Sequence, residues 1–235
     1  MLSDAFLRPV QLFLIRNKPK ILQVCLAFYI VLAAAYLLGL PLFIVMPDLL
    51  GIMLDVGNKF GVLALILYGF TLLPGILKRL QILPVTQVTL MLFRRQFGIL
   101  MFLTVLIHSG YSLLFPLLST STLSINLFTT REVLGTIAEI VLFPLFITSN
   151  DRSVRVLGKW WNRVHKLTYV ALLFIFGHVV LLGGELHLKL FIGSLLVLEF
   201  ISWGVWLKRK GTPAAVTSSS QTITPPPTIP PPILR

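Results

Sequence analysis

The chain has 235 residues, 56% of them hydrophobic and only 12% charged, with 20 Lys and Arg against 8 Asp and Glu for a net charge of +12. Soluble domains carry about 25% charged residues, so half the usual solvating surface is missing, and a mean hydropathy of +0.92 excludes a soluble globular enzyme. A single cysteine, Cys25, excludes a disulfide framework, a CxxC redox pair and a thiolate-rich metal site.

Residues 1–20 mix apolar and basic positions and read as an amphipathic lead-in along the inner membrane face. Six segments then meet the requirement of about 20 mostly apolar residues for a spanning helix: 21–46, 58–77, 96–118, 132–149, 163–182 and 188–207. The first follows Arg16, Lys18 and Lys20 as a signal peptide would. Its apolar run continues well past Ala33-Ala34-Ala35, too long for a signal-peptide core, so an uncleaved anchor is expected. Residues 119–130 form an outer loop. From Gly211 the chain turns to Ser, Thr and Pro, with Pro225, Pro226, Pro227, Pro230, Pro231 and Pro232. Such a segment buries no core, and a disordered tail over 208–235 is expected.

The charges orient these spans. Arg8, Arg16, Lys18 and Lys20 precede the first. Lys78, Arg79, Arg94 and Arg95 fill the second connection. Arg152, Arg155, Lys159, Arg163 and Lys166 lie in or beside the fourth, and Lys208, Arg209, Lys210 and Arg235 follow the sixth, placing 17 of the 20 basic residues on one side. Only Lys59, Arg131 and Lys189 fall on the other, beside Asp48, Asp55, Glu132 and Glu185. Positive loops stay cytoplasmic, so both termini are expected inside, as an even span count requires. The basic excess is thus an orientation signal on a lipid-embedded domain. A nucleic-acid partner needs Lys and Arg clustered on a solvated face and is not expected. The fold class is an all-α integral membrane protein, a six-helix transmembrane bundle.

Ionisable residues inside a membrane are costly and point to function. His108 lies in the third span, 13 residues beyond Arg95, about 20 Å at the helical rise. His178 lies in the fifth, 13 residues beyond His165, and both spans run outward, so His108 and His178 reach one outer level of the bilayer. Two imidazoles at one depth on different helices supply both axial ligands of a haem between them. A zinc site, the competing reading, wants three or four ligands, and only Glu139 stands at that depth. At the inner level His165 meets Arg94 and Arg95 rather than another histidine. Arginine stays protonated and is a poor iron ligand, but it suits a propionate, a flavin phosphate or an acidic lipid head group. A shared seam for His165 and His178 would require unwinding near Gly177.

The run Arg94-Arg95-x-x-Gly98, His108, Thr148-Ser149-x-Asp151, Arg155-x-Leu157-Gly158-x-x-Trp161-x-x-x-His165-x-Leu167-x-Tyr169 and His178 resembles the ferric reductase-like transmembrane domain family over about residues 58–207. Within it the resemblance is to the haem-binding membrane subunits of periplasmic methionine sulfoxide reductase systems. It implies a six-helix haem b protein in a bacterial inner membrane that passes electrons outward. It implies His108 and His178 as axial ligands, His165 as a further ligand or cofactor contact, and flavin mononucleotide (FMN) at the inner side. Larger relatives add a cytoplasmic FAD/NADPH module, whereas this sequence contains no G-x-G-x-x-G. The expected donor is therefore a quinol or a separate cytoplasmic flavin reductase, and the expected acceptor a periplasmic oxidoreductase. Oxidases of the wider family carry two histidines in each ligand helix, but the third span here has His108 alone, which argues for one haem rather than two.

Two other classes compete. One is a stand-alone transmembrane reductase of ferric chelates or another small acceptor. The other is a structural or assembly subunit without redox activity. Several residues also have plain structural readings. Trp160 and Trp161 fit an interfacial aromatic belt, and Arg155 and Gly158 fit a tight turn. Glu139 and Glu199 either relay protons or pair with a neighbouring polar group.

Overall fold

The computed structural model describes residues 2–119, 129–183 and 186–211. The expected outer-loop residues 120–128, Glu185 and the tail beyond 211 lie outside the described residues. Among those described, no strand occurs. The chain runs as α1 (Leu2–Arg16), α2 (Lys18–Val45), a 3-10 turn (Pro47–Leu49), α3 (Leu50–Leu80), α4 (Pro84–Ser109), a π-helical turn (Gly110–Leu114), α5 (Phe115–Ser119), α6 (Thr130–Ile147), α7 (Asp151–Leu157), α8 (Lys159–Val164), α9 (Leu167–Val180) and α10 (Leu186–Gly211).

Local chemistry sets these boundaries. Asn17 separates the lead-in helix from the first long one, its side-chain amide donating to the Phe13 carbonyl at 2.9 Å, and a proline then opens α2, where a missing N–H costs nothing. Pro84 opens α4 in the same way. Gly158, between α7 and α8, has φ +49°, a conformation that a Cβ disfavours. That matches the tight turn read from the sequence.

Five helical stretches are long and apolar enough to cross a membrane: Lys18–Gly39, Leu50–Leu80, Pro84–Leu114, Lys159–Val180 and Leu186–Lys210. The fourth expected span, α6, qualifies only together with α7, from which it bends by 90°. Its 18 residues extend about 27 Å, close to the hydrocarbon thickness. The protein is a multi-pass integral membrane protein. The fifth span differs from expectation in one respect. Its helix is unbroken across Gly177, and the interruption falls instead at His165–Lys166, between α8 and α9.

The core lies between five of the helices. Leu65, Tyr68, Leu72 and Ile76 of α3 pack with Met101 and Phe102 of α4, Leu142 and Leu145 of α6, Ala171, Leu172 and Val179 of α9, and Ile192 and Leu195 of α10. The buried Tyr68 hydroxyl is satisfied by donating to the Thr168 carbonyl at 2.6 Å. Helix α2 stands outside this core and packs on the π-helical turn, where Met53 and Phe115 form a second small cluster with Tyr36 and Tyr111. Outward-facing apolar side chains such as Leu37, Ile140, Leu173 and Phe200 are exposed, which suits helices surrounded by lipid.

Charges gather at the two ends of the bundle. At one, Arg209 donates to the Arg79 carbonyl at 3.0 Å and Arg95 pairs with Asp151 at 2.8 Å. At the other, Lys59 pairs with Asp55 at 2.7 Å and Arg131 pairs with Glu132. Arg79, read from the sequence only as a topology determinant, in fact turns into the bundle and is largely shielded, its side chain 12% exposed. Its guanidinium bonds Glu199, the Ser202 hydroxyl at 2.8 Å and the Tyr169 hydroxyl at 3.2 Å, so Glu199 is a paired carboxylate.

Candidate functional site

Helices α4 and α9 bring the His108 and His178 rings together, with centroids 6.2 Å apart and planes nearly perpendicular at 75°. Each ring is anchored from behind by a neighbouring helix. Nδ1 of His108 is 2.9 Å from the Gly57 carbonyl, two turns into α3, and Nδ1 of His178 is 2.9 Å from the Arg131 carbonyl at the start of α6. A carbonyl only accepts, so in each neutral ring the proton sits on Nδ1, and Nε2 keeps its lone pair for a ligand. This is the outer-shell arrangement typical of a metal-binding histidine.

One helical turn beyond each anchoring carbonyl stands a glycine that makes room for the ring. A Cβ on Gly61 would lie 2.8 Å from Nδ1 of His108, and one on Gly135 would lie 2.8 Å from Nδ1 of His178. The α3–α4 pair and the α6–α9 pair thus use the same device, a carbonyl at i and a glycine at i+4. Both rings line a cavity of about 560 Å³ that is largely apolar, with Asn58, Ser109, Arg131 and Glu139 among its polar groups. Its size suits a small-molecule or cofactor site. Glu139 accepts from the Ser109 hydroxyl at 3.1 Å.

The residues fit a haem. Two imidazoles holding one iron between their Nε2 atoms, with metal–nitrogen bonds of about 2 Å, would stand with centroids near the spacing of this pair. Zinc fits less well. Among the described residues no group of three His, Cys, Asp or Glu side chains is placed to hold a metal ion.

The inner-level residues form a separate group, and none of His165, Arg94 and Arg95 lines the cavity. His165 caps α8, its Nε2 3.3 Å from the Thr148 hydroxyl and its ring stacked on Trp161 at 4.0 Å. Trp161 in turn donates Nε1–H to the Thr148 carbonyl at 3.1 Å. Trp161 therefore ties the α6–α7 corner to α8, whereas Trp160 is exposed under the Arg163 guanidinium at 4.4 Å, as an interfacial tryptophan would be. Arg95 is engaged by Asp151, and Arg94 beside it is half-buried.

The sequence reading missed Gly57, Gly61, Gly135 and the Arg131 carbonyl. A signal existed for the first two, since Gly57 and Gly61 form a G-x-x-x-G pair, a spacing that marks close approach between membrane helices. No comparable pattern surrounds Gly135.

The family described as "Ferric reductase like transmembrane component" matches residues 60–176, a stretch that includes His108 and His165 and stops two residues short of His178. The chain is 34% identical over 113 residues to a protein-methionine-sulfoxide reductase heme-binding subunit MsrQ of Brucella anthropi, covering 46% of this chain and 47% of the relative. It is 36% identical over 89 residues to the MsrQ proteins of Brucella ovis and Brucella canis, covering 37% of this chain and 40% of each. The chain thus spans about half the length, or less, of the relatives it matches. No solved structure matches it. Over residues 60–176, just under half of the chain, the sequence is thus similar to the ferric reductase-like transmembrane family.

Proposed function

We propose that this chain is the haem-binding electron-transfer subunit of a membrane oxidoreductase system, with His108 and His178 as the axial ligands of one haem b. The observation that carries the proposal is the facing pair itself, with centroids 6.2 Å apart and both Nδ1 atoms tied to backbone carbonyls. A haem held there supplies one-electron chemistry. The Gly57 and Arg131 carbonyls fix the ring tautomers and raise the basicity of both ligands. The apolar wall from α3, α4, α6 and α9 keeps water from the ring edges. With His108 and His178 both holding the iron, no coordination site would remain for substrate, and electrons would leave at an edge of the site.

The direction of transfer follows from the charges. The basic end receives electrons from a cytoplasmic-side donor, a quinol or a flavin reductase, and the histidine pair passes them to a periplasmic-side acceptor. Similarity to subunits named for methionine sulfoxide reductase supports such an enzyme as the acceptor. At the basic end, Arg94 and Arg95 beside His165 suit an anionic group, and the phosphate of FMN is the one proposed. The bacterial inner membrane is the proposed location.

Absorption and EPR spectra of the purified chain, with haem counted as pyridine haemochrome, test the reading. One low-spin haem per chain is expected, lost in His108→Ala and in His178→Ala. A normal bis-histidine spectrum in either variant would overturn the assignment.

A further inference from the structure

The α-helix carrying His108 does not simply continue. It passes at once into the π-helical turn Gly110–Leu114, a rare geometry that recurs beside functional sites. Here the turn is wedged between two other helices. Toward α3 it seats on Gly57, where a Cβ would lie 2.6 Å from the Ser112 hydroxyl and 2.9 Å from the Tyr111 Cβ. Gly57 is also the residue whose carbonyl holds His108. The Ser112 hydroxyl is buried without a hydrogen-bond partner, so packing rather than bonding presses it there. Toward α2 the fit is as close. A Cβ on Gly110 would lie 2.6 Å from the Tyr36 ring, and one on Gly39 would lie 2.5 Å from the Tyr111 ring. The Tyr111 hydroxyl closes the joint by donating to the Ala35 carbonyl at 2.8 Å.

Helix α2 packs along α4 as well as on the turn, while its far side is open, with Leu37 71% and Leu38 65% exposed. Its contact with the turn attaches the first span to the His108 end of the site.

We infer that Tyr111 is a positioning residue for His108: by tying the π-helical turn to the first span it holds Gly57 and the imidazole bonded to it in register. This rests on His108 being a haem ligand. Freeing the turn loosens the Nδ1–H bond to the Gly57 carbonyl. That lowers ligand basicity and favours the reduced iron.

The test uses the full chain loaded with haem, comparing Tyr111→Phe and Gly39→Ala with Tyr29→Phe as control. Tyr29 lies on the same span, and its buried hydroxyl has no partner. The expected result is a low-spin EPR signal with shifted g values, and a reduction equilibrium moved about tenfold toward the ferrous form, about 59 mV for one electron. Both changes should appear in Tyr111→Phe and Gly39→Ala but not in Tyr29→Phe. Complete loss of haem from Tyr111→Phe, with Tyr29→Phe unaffected, is the same effect at its extreme. Wild-type g values and potential in Tyr111→Phe overturn the inference while leaving the ligand reading intact. Absence of a bis-histidine signal from the unmodified chain overturns the ligand reading itself.

Discussion

Gly61 stands directly behind His108. A Cβ at that position would come within 2.8 Å of the imidazole Nδ1, while the same nitrogen is held at 2.9 Å by the Gly57 carbonyl one turn earlier. The ring cannot retreat without giving up its anchor, so Gly61→Ala must move the imidazole toward the cavity or rotate it. Gly135 stands in the same relation to His178. In a helix interior, Gly to Ala is otherwise favourable by about 0.8–1 kcal/mol. Gly61→Ala and Gly135→Ala are therefore expected to fold and insert normally while losing haem affinity by roughly 10–100-fold, the usual cost of disturbing a ligand's outer shell. Haem titration followed by absorption reads the affinity, and a thermal melt of the unloaded protein in detergent reads the fold. Wild-type affinity in both variants contradicts the role given to these glycines.

Much of this arrangement was legible from the sequence because it depends on depth, and depth is counted in residues. Thirteen residues beyond Arg95 and thirteen beyond His165 put His108 and His178 at one level, and the structure brings those two rings together. What could not be counted was rotation and close approach. That Gly57, Gly61 and Gly135 stand behind the rings depends on which faces of α3 and α6 turn inward, and the near-continuous hydrophobicity of these spans leaves their faces almost unmarked. The break at His165–Lys166 was hidden for a similar reason. Its residues have no helix-breaking chemistry, and the corner is fixed instead by the tertiary contact of Trp161 with Thr148. Arg79 was misread because a basic residue at the end of a span usually marks topology, and only α10 reveals Glu199 and Ser202 opposite it.

The two ion pairs at the basic end of the bundle separate burial from mere proximity. Arg79 and Glu199 are 12% and 7% exposed, whereas Arg95 and Asp151 are 38% and 73% exposed. Removing one partner of a buried pair leaves an uncompensated charge and costs about 3–5 kcal/mol. A solvent-exposed pair is worth about 0–1 kcal/mol. Glu199→Ala is thus expected to destabilise the bundle severely, while Asp151→Asn changes stability by less than about 1 kcal/mol. Chemical unfolding of both variants in detergent measures the contrast. Equal stabilities would show that the Arg79 network is solvated.

His165 lies outside the cavity, and its ring is already engaged by Thr148 and Trp161. His165→Ala is accordingly expected to keep the low-spin haem signal at full intensity. What should change is the rate of haem reduction from the cytoplasmic-side donor, because the group formed with Arg94 and Arg95 loses its imidazole. Stopped-flow reduction with a quinol or a reduced flavin, run beside the static spectrum, separates the two effects. Loss of the low-spin signal in His165→Ala would make His165 an axial ligand and displace one of the outer pair.

The orientation of the bundle yields to a labelling experiment that uses the single native cysteine. With Cys25→Ser as background, no thiol remains, and a cysteine placed at either end reports only that end. Lys59 is exposed near the start of α3, and Arg152 is exposed at the start of α7, beside the Asp151 that pairs with Arg95. If positive loops are cytoplasmic, K59C in intact cells with a permeabilised outer membrane reacts with a membrane-impermeant maleimide. R152C reacts only after the inner membrane is opened. The opposite pattern would place the basic end outside and reverse the direction of electron flow. It would leave the His108–His178 site untouched, because the geometry of the pair is the same whichever way the bundle faces.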